Sequence, residues 1–493
     1  MKEVMEQIKS EHRFTLRVEG MHPAIRSTAV IALCFLLTST GWLSWEYHLM
    51  EQIPTGMTDM CTMVVGYLLQ AAGIGIYACC LRRRPALLGT LFPLALLVHM
   101  VCMVPAVRSP YVTGTLVFGL LMNIACGVIA GYYLYHLTWF VPCQNRASAF
   151  GIGYGLSIMA SWLLSLIGGG SIYYSEHVLL VCLLLTAAAY WVAAGQTGAV
   201  AKTDSVAAGQ TGAVAKAREE GGAKVQVESV VEPDSVPVPG KYPSRFFLGL
   251  AVLLVLLFSV VNSSGFAFPA ADLGQSVNVE FSRLVYAVGL ILAGVMTDRN
   301  RKYGAICALT ALIIPFVILA LKGGSISVIL FWVLSYFAFG FYAVYRIILF
   351  SDIASESGWM FLSGFGLLVG RIGDAVGEML CLVLANRLVA IVFVTATLFA
   401  ASVAVFFRLY QVLYVPEAAR QLTERERFAQ FAAEHDLSPR EQDVMHQILE
   451  NKTVSEIAAS LSISENTVKY HVRNILQKTG CHSRKELIGV YNA

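Results

Sequence analysis

The chain has 493 residues, of which 57% are hydrophobic and only 14% charged. Soluble globular proteins carry roughly 25% charged residues, so the composition excludes an ordinary soluble protein and points to an integral membrane protein with a soluble part. The formal net charge of +3 averages over unlike regions, and only the placement of Lys and Arg is informative.

In chain order, residues 1–26 are polar and mixed in charge, with no apolar stretch leading to a small-residue cleavage site. No secretory signal peptide is expected there, and the segment reads as cytoplasmic. A spanning helix needs about 20 mostly apolar residues. Twelve stretches qualify: 27–45, 57–80, 86–105, 111–135, 147–167, 175–194, 246–265, 280–297, 304–321, 326–350, 358–385 and 389–408. They divide six and six, as bundles 27–194 and 246–408, around the polar stretch 195–245. That stretch repeats AAGQTGAVAK and continues into a Pro-, Val- and Glu-rich piece. It cannot bury a core and reads as a flexible cytoplasmic linker.

Alternate connections differ sharply in charge. One set holds Arg82, Arg83, Arg84, Arg146, Arg299, Arg301, Lys302 and the basic residues of both polar segments, whereas the other holds only Arg108, Lys322 and Arg387. By the positive-inside rule the N-terminus is cytoplasmic, and an even number of spans returns the C-terminus to the same side. The expected location is the cell membrane, multi-pass, in contact with the lipid bilayer. The cysteines lie mostly in apolar runs (Cys34, Cys61, Cys102, Cys126, Cys182, Cys307, Cys381) without a CxxC pair. They read as packing residues, and neither a metal nor a cofactor is expected.

The connection after the eighth span, GVMTDRNRKYG, is similar to the cytoplasmic loop signature of the major facilitator superfamily through Gly294, Asp298, Arg299, Arg301 and Lys302. It lacks the glycine expected between Asn300 and Arg301, and the corresponding first-half loop, IYACCLRRRP, lacks the aspartate. The resemblance implies two related six-helix halves. The GYYLYH and GFYAVYR stretches of the fourth and tenth spans, each followed by a glycine-rich helix, echo that relation.

Ionisable residues inside spans are costly unless paired or hydrated. Arg371, Asp374 and Glu378 are spaced i, i+3, i+7 in the eleventh span and share one helical stripe, and Arg346 of the tenth span can face them. Glu280 and Arg283 sit at the outer end of the eighth span. The cluster reads either as an ion-pair network that locks helices, as a ligand or gating site near the midplane, or as a proton relay. The Gly366-x-x-x-Gly370 and Gly373-x-x-x-Gly377 pairs prepare the same helix for close packing.

Residues 409–436 read as a connecting helix starting near Pro416. From 437 the capping signals are dense: Ser438/Glu441, Thr453/Glu456 and Ser483/Glu486 form capping boxes, with Pro439 at a first helical position and Ser464 as a further N-cap. Four short helices follow, at about 438–450, 454–461, 465–478 and 484–491. Val444, Ile448, Ile457, Ala458, Leu461, Ile463, Val468, Val472, Ile475 and Leu476 recur at helical spacing as their core. The second and third helices, with a three-residue turn between them, form a helix-turn-helix. Between 464 and 485 the charge is concentrated in Lys469, Arg473, Lys478, Arg484 and Lys485 against Glu465 alone, as a phosphate-facing surface requires.

LSPREQDVM, VSEIAASLSISENTVKYHVRNILQKTG and SRKELI together resemble the LuxR/FixJ-type helix-turn-helix over about 55 residues. The resemblance implies that Lys469, Tyr470 and Arg473 face bases, and that Asn466, Thr467 and Lys478 contact the backbone of double-stranded DNA. It also implies that the last helix dimerises and that RNA polymerase is a partner. His471 reads as a surface or packing histidine before a pH switch. The expected whole is all-α: a 6+6 membrane bundle followed by a four-helix DNA-binding domain over 437–493. Its expected function is that of a membrane-bound one-component transcription regulator driven by a small molecule or the membrane state, the alternatives being a secondary transporter with a regulatory tail and a membrane anchor that confines a constitutive DNA binder. No nucleophile elbow, metal-ligand spacing or phosphate-binding loop suggests an enzyme.

Overall fold

The computed structural model describes residues 22–166, 177–194, 245–270, 279–320, 325–384, 387–414 and 427–492, of which the side chains of 245, 266–283, 318–332 and 492 are not described. The expected N-terminal segment before residue 22, the 195–244 linker and the start of the connecting helix near Pro416 lie outside these residues, as do the side chains of Glu280 and Arg283. The chain forms two compact units, residues 1–409 and 410–493.

Among the described residues, the first unit is built from twelve helical segments. These are α1 Pro23–Gln52, α2 Thr55–Arg83, α3 Pro85–Arg108, α4 Val112–Phe140, α5 Cys143–Leu166 and α6 His177–Ala194. After the linker come α7 Arg245–Ala270, α8 Val279–Arg299, α9 Arg301–Ala311 with its continuation Ile314–Ala320, α10 Ser325–Ser357, α11 Phe365–Val383 and α12 Leu388–Tyr414. Among the described residues, nine of the helices are long and apolar enough by composition to cross a membrane. Of the other three, α9 is interrupted at Leu312–Ile313, α11 carries Arg371, Asp374 and Glu378, and α8 is described with its side chains only from residue 284.

Lipid gives helices no hydrophobic drive to associate, so small residues and polar contacts set the packing. The halves meet where α5 packs on α8 and α2 on α11. A Cβ on Gly151 of α5 would collide with the Leu290 carbonyl of α8, and one on Gly294 of α8 would collide with the Ala147 carbonyl of α5. These two glycines set the closeness of that seam. The α11 glycines act similarly, Gly366 against the Arg346 backbone and Gly373 against Ser259 of α7. Outward positions such as Leu97, Val101, Leu184 and Phe393 stay exposed and apolar, as a lipid-facing surface is. Cys34, Cys102, Cys126, Cys182 and Cys381 are buried packing residues.

The second unit begins, among the described residues, with a short helix α13 over 427–434, followed by α14 Pro439–Leu449, α15 Val454–Leu461, α16 Glu465–Thr479 and α17 Arg484–Asn492. Reciprocal capping boxes open α14 (Ser438 with Glu441) and α15 (Thr453 with Glu456). At α17 the box is altered: Ser483 accepts from Glu486 N–H, but the Glu486 carboxylate accepts from His482 N–H instead of from Ser483. Val444, Ile448, Ile457, Ala458, Val468 and Ile475 are buried together with Met445, Cys481 and Leu487, while Leu461, Ile463, Val472 and Leu476 pack half-buried around them. Each fully buried aliphatic contributes about 1.5–3 kcal/mol, enough for a small domain whose helix ends are satisfied by their own caps.

Candidate nucleic-acid interface and central cavity

The turn between α15 and α16 is made by Ser462, whose φ of 55° places it in the left-handed region, and Ser464, whose hydroxyl accepts from Thr467 N–H. This turn fixes the start of α16. Asn466, Lys469, Tyr470 and Arg473 are exposed along α16, Tyr470 at 62%, while Val468 and Ile475 point into the core. Lys469, Arg473 and Gln477 border an open groove of about 550 Å³ whose other lining includes Val454 and His482. Thr467 is half-buried and shares a hydroxyl hydrogen bond of 2.8 Å with Ser464.

Lys478 stands apart from the other basic residues. Its ammonium donates to Glu441 Oε2 and to the Asp436 carbonyl, both at 2.7 Å. Burial would push the Glu441 carboxyl up, but the bonds from Lys478 and from Ser438 outweigh it and hold the carboxyl below the usual glutamate range. Lys478 therefore ties α16 to the start of α14, a structural task that competes with a contact to a phosphate. His471 is half-buried and lies edge-on to Tyr470 at 5.6 Å.

In the first unit, Arg346, Arg371, Asp374 and Glu378 line one cavity of about 410 Å³ between the two halves. Arg346 Nη1 donates to Asp374 Oδ2 at 3.0 Å and to the Tyr342 hydroxyl at 2.9 Å, so α10 and α11 are ion-paired. Arg371 Nη1 lies 3.8 Å from Asp374 Oδ2, beyond hydrogen-bond reach, and its guanidinium sits over the Tyr67 ring of α2 at 4.2 Å. Among the described residues Arg346 Nε, Arg371 Nε and Asp374 Oδ1 have no hydrogen-bond partner. Aromatic residues from both halves complete the wall, including Trp42, Tyr133, Tyr154, Trp162 and Tyr286. One turn before Tyr67, α2 widens into a π-helical stretch, Met60–Val65, a feature common at functional sites.

A second ionic cluster joins the halves where α4 meets α5 and α8 meets α9. Asp298 caps α5 by accepting from Ala147 N–H at 3.0 Å and Ser148 N–H at 2.6 Å. Arg301 pairs with Asp298 and Asp352, and Arg146 pairs with Asp352 at 2.9 Å. Sequence reasoning placed Asp298 and Arg301 in a loop signature but missed Asp352 and the role of Arg146. A charged pair at the ends of two spans was the signal that could have prompted a search for their partners. It also missed Tyr67 and the aromatic wall, because aromatic residues are common throughout membrane helices.

The fold is an all-helical bundle with several helices apolar enough to cross a membrane, on one chain with a helix-turn-helix domain. The solved proton:xylose symporter XylE, bound to 6-bromo-6-deoxy-D-glucose, matches with a TM-score of 0.51 at 14% identity, over 80% of this chain and 96% of that one. At that identity the likeness concerns the fold alone. Residues 435–491 match the family model for bacterial regulatory proteins of the luxR family. The chain is 37% identical over 59 residues to the spore germination protein GerE of Bacillus subtilis, covering 80% of it. It is 45% identical over 67 residues to the nitrate/nitrite response regulator protein NarP of Escherichia coli, spanning only 30% of that protein. Through this domain the chain belongs to the luxR family of bacterial regulatory proteins.

Proposed function

We propose that the chain is a membrane-bound one-component transcription regulator, in which a small molecule entering the central cavity controls the DNA-binding domain. The observation that supports it most is the exposed row Lys469, Tyr470 and Arg473 on a capped, well-packed α16, on the same chain as a cavity lined by ionised residues from several helices. In helix-turn-helix proteins this second helix enters the major groove. Lys469, Tyr470 and Arg473 then read bases, Asn466 and Thr467 hold the DNA backbone, and α17 supplies a dimer contact that matches paired half-sites. Lys478 assists only if it leaves Glu441. RNA polymerase is the downstream partner.

The two halves share the cavity, so a ligand that prefers one arrangement of them shifts the population by its differential affinity. Asymmetry of Lys and Arg between connections supports a multi-pass location in the cell membrane with both termini cytoplasmic, on the side where DNA is. The test compares transcripts of cells carrying the full-length protein with those carrying Arg473→Ala. A compact set of genes should change while membrane insertion stays normal, and an unchanged transcriptome under several growth conditions would overturn the reading.

The major facilitator fold favours one alternative, secondary transport with a regulatory tail. That reading requires ligand accumulation in vesicles, abolished by Asp374→Asn.

A further inference from the structure

We infer that the cavity takes a small organic anion with a flat apolar body, an aryl carboxylate in class, and that Arg371 is its anchor. The inference rests on the reading of the cavity as a ligand site and adds the chemistry of the ligand. Three observations converge on it.

The first is charge. Two guanidinium groups, Arg346 and Arg371, share one close carboxylate, Asp374, and Arg346 takes the short contact. Arg371 is left with an attraction at 3.8 Å and no hydrogen bond among the described residues. The second is donor capacity. A guanidinium presents five N–H donors in a planar fork that matches a carboxylate, with two parallel bonds. Unspent donors in a semi-enclosed site are costly, and an incoming carboxylate satisfies them. Arg346 and Arg371 against Asp374 leave one positive charge at the anchor, and Glu378, one turn along α11 in the same cavity, disfavours a second negative charge, so a monoanion fits better than a dianion.

The third is the wall. Tyr67 stacks beneath Arg371 and holds its plane, and Trp42 lies stacked beside Tyr67 with ring centroids 6.3 Å apart. Tyr154 and Trp162 line the cavity from α5. Such surfaces favour a planar ring through offset or edge contacts. A volume of about 410 Å³ falls within the ordinary range for small-molecule sites.

The test uses the full-length protein in lipid nanodiscs and calorimetric titration. The probes are 2-naphthoate and phenylacetate, their neutral amides, and acetate and inorganic phosphate as head groups alone. Each aryl acid should bind about tenfold or more tighter than its amide, the scale of a lost charge-assisted pair, and acetate and phosphate should bind more weakly than either acid. Arg371→Gln should erase the gap between acid and amide, and Arg371→Lys should retain part of it, which separates lost anchoring from lost folding. An amide that matches its acid, phosphate binding tighter than the aryl acids, an Arg371→Gln protein that keeps the gap, or failure of every acid to bind would each overturn the assignment.

A reporter driven by the genes that respond to Arg473→Ala separates this inference from the reading beneath it. A reporter that answers a neutral compound, with no acid binding, removes the anion class and keeps the sensor. Acid binding at Arg371 with a silent reporter keeps the anion class and removes the sensor.

Discussion

The two ionic clusters of the membrane bundle use the same residue types and differ in completeness. At the α4–α5 and α8–α9 turns every nitrogen of Arg146 is engaged: Nε with the Val141 carbonyl, Nη1 with Asp352 and the Ser351 carbonyl, Nη2 with the Thr138 carbonyl and Ser355. Asp298 and Asp352 each accept on both oxygens. In the cavity, among the described residues, Arg371 stacks on Tyr67 with no hydrogen-bond partner at Nε, and Asp374 uses one oxygen. A saturated network has one best arrangement and holds it. An unsaturated one keeps donors for something that arrives. Under the proposed function, the first cluster is a latch between the halves and the second is the place where a ligand would change their balance.

Substitutions test that contrast directly. Arg146→Ala should cost the most, about 3–5 kcal/mol, because it leaves the half-buried Asp352 with only Arg301 and strips four backbone or hydroxyl acceptors of the buried arginine that served them. Thermal unfolding in nanodiscs measures it, and a loss below 1 kcal/mol would mean that the latch does not hold the halves. Asp374→Asn should cost less, about 2–3 kcal/mol, since it removes one charged partner from buried Arg346 while the Tyr342 hydroxyl remains. If Asp374→Asn proves more damaging than Arg146→Ala in the same assay, the ranking of the two clusters is reversed.

How much of this was legible in the sequence depends on whether the physics is local. Twelve apolar stretches and the four capped helices of the tail were readable because hydropathy and capping act within one element. The ends moved by a few residues where helices extend past the apolar zone, as α4 does to Phe140 and α10 to Ser357. The i, i+3, i+7 stripe of α11 was equally local. What was not legible lies between elements. Nothing in the one-dimensional pattern says that Asp298 of α8 caps α5, or that Asp352 receives two arginines. Lys478 shows the same limit: counted with the basic residues, it belongs in three dimensions with Glu441.

Lys478 extends the comparison to the second unit, where it is the saturated cation and Lys469 and Arg473 are exposed. Lys478→Ala should destabilise this domain by about 1–2 kcal/mol, reduced from the buried-pair value because Lys478 is partly exposed. The pH dependence has a definite sign. Glu441 has its folded pKa depressed, so its contribution is full above the unfolded value near 4.3 and fades as pH falls through the lower folded value. Limited proteolysis of the full-length protein between pH 6 and pH 3 should show less loss of protection with Lys478→Ala than with wild type. Equal slopes would show that the pair contributes nothing.

The smallest effect expected is the most discriminating. Arg371→Gln should change bundle stability by no more than about 1 kcal/mol, the scale of a cation–π contact, because no hydrogen bond is lost and one of two neighbouring positive charges is removed. A stability change as large as that of Arg146→Ala would make Arg371 part of the latch and would close the distinction between the clusters. A near-neutral result together with a lost acid–amide gap would place Arg371 where the geometry puts it: a side chain that the fold tolerates losing and the ligand does not.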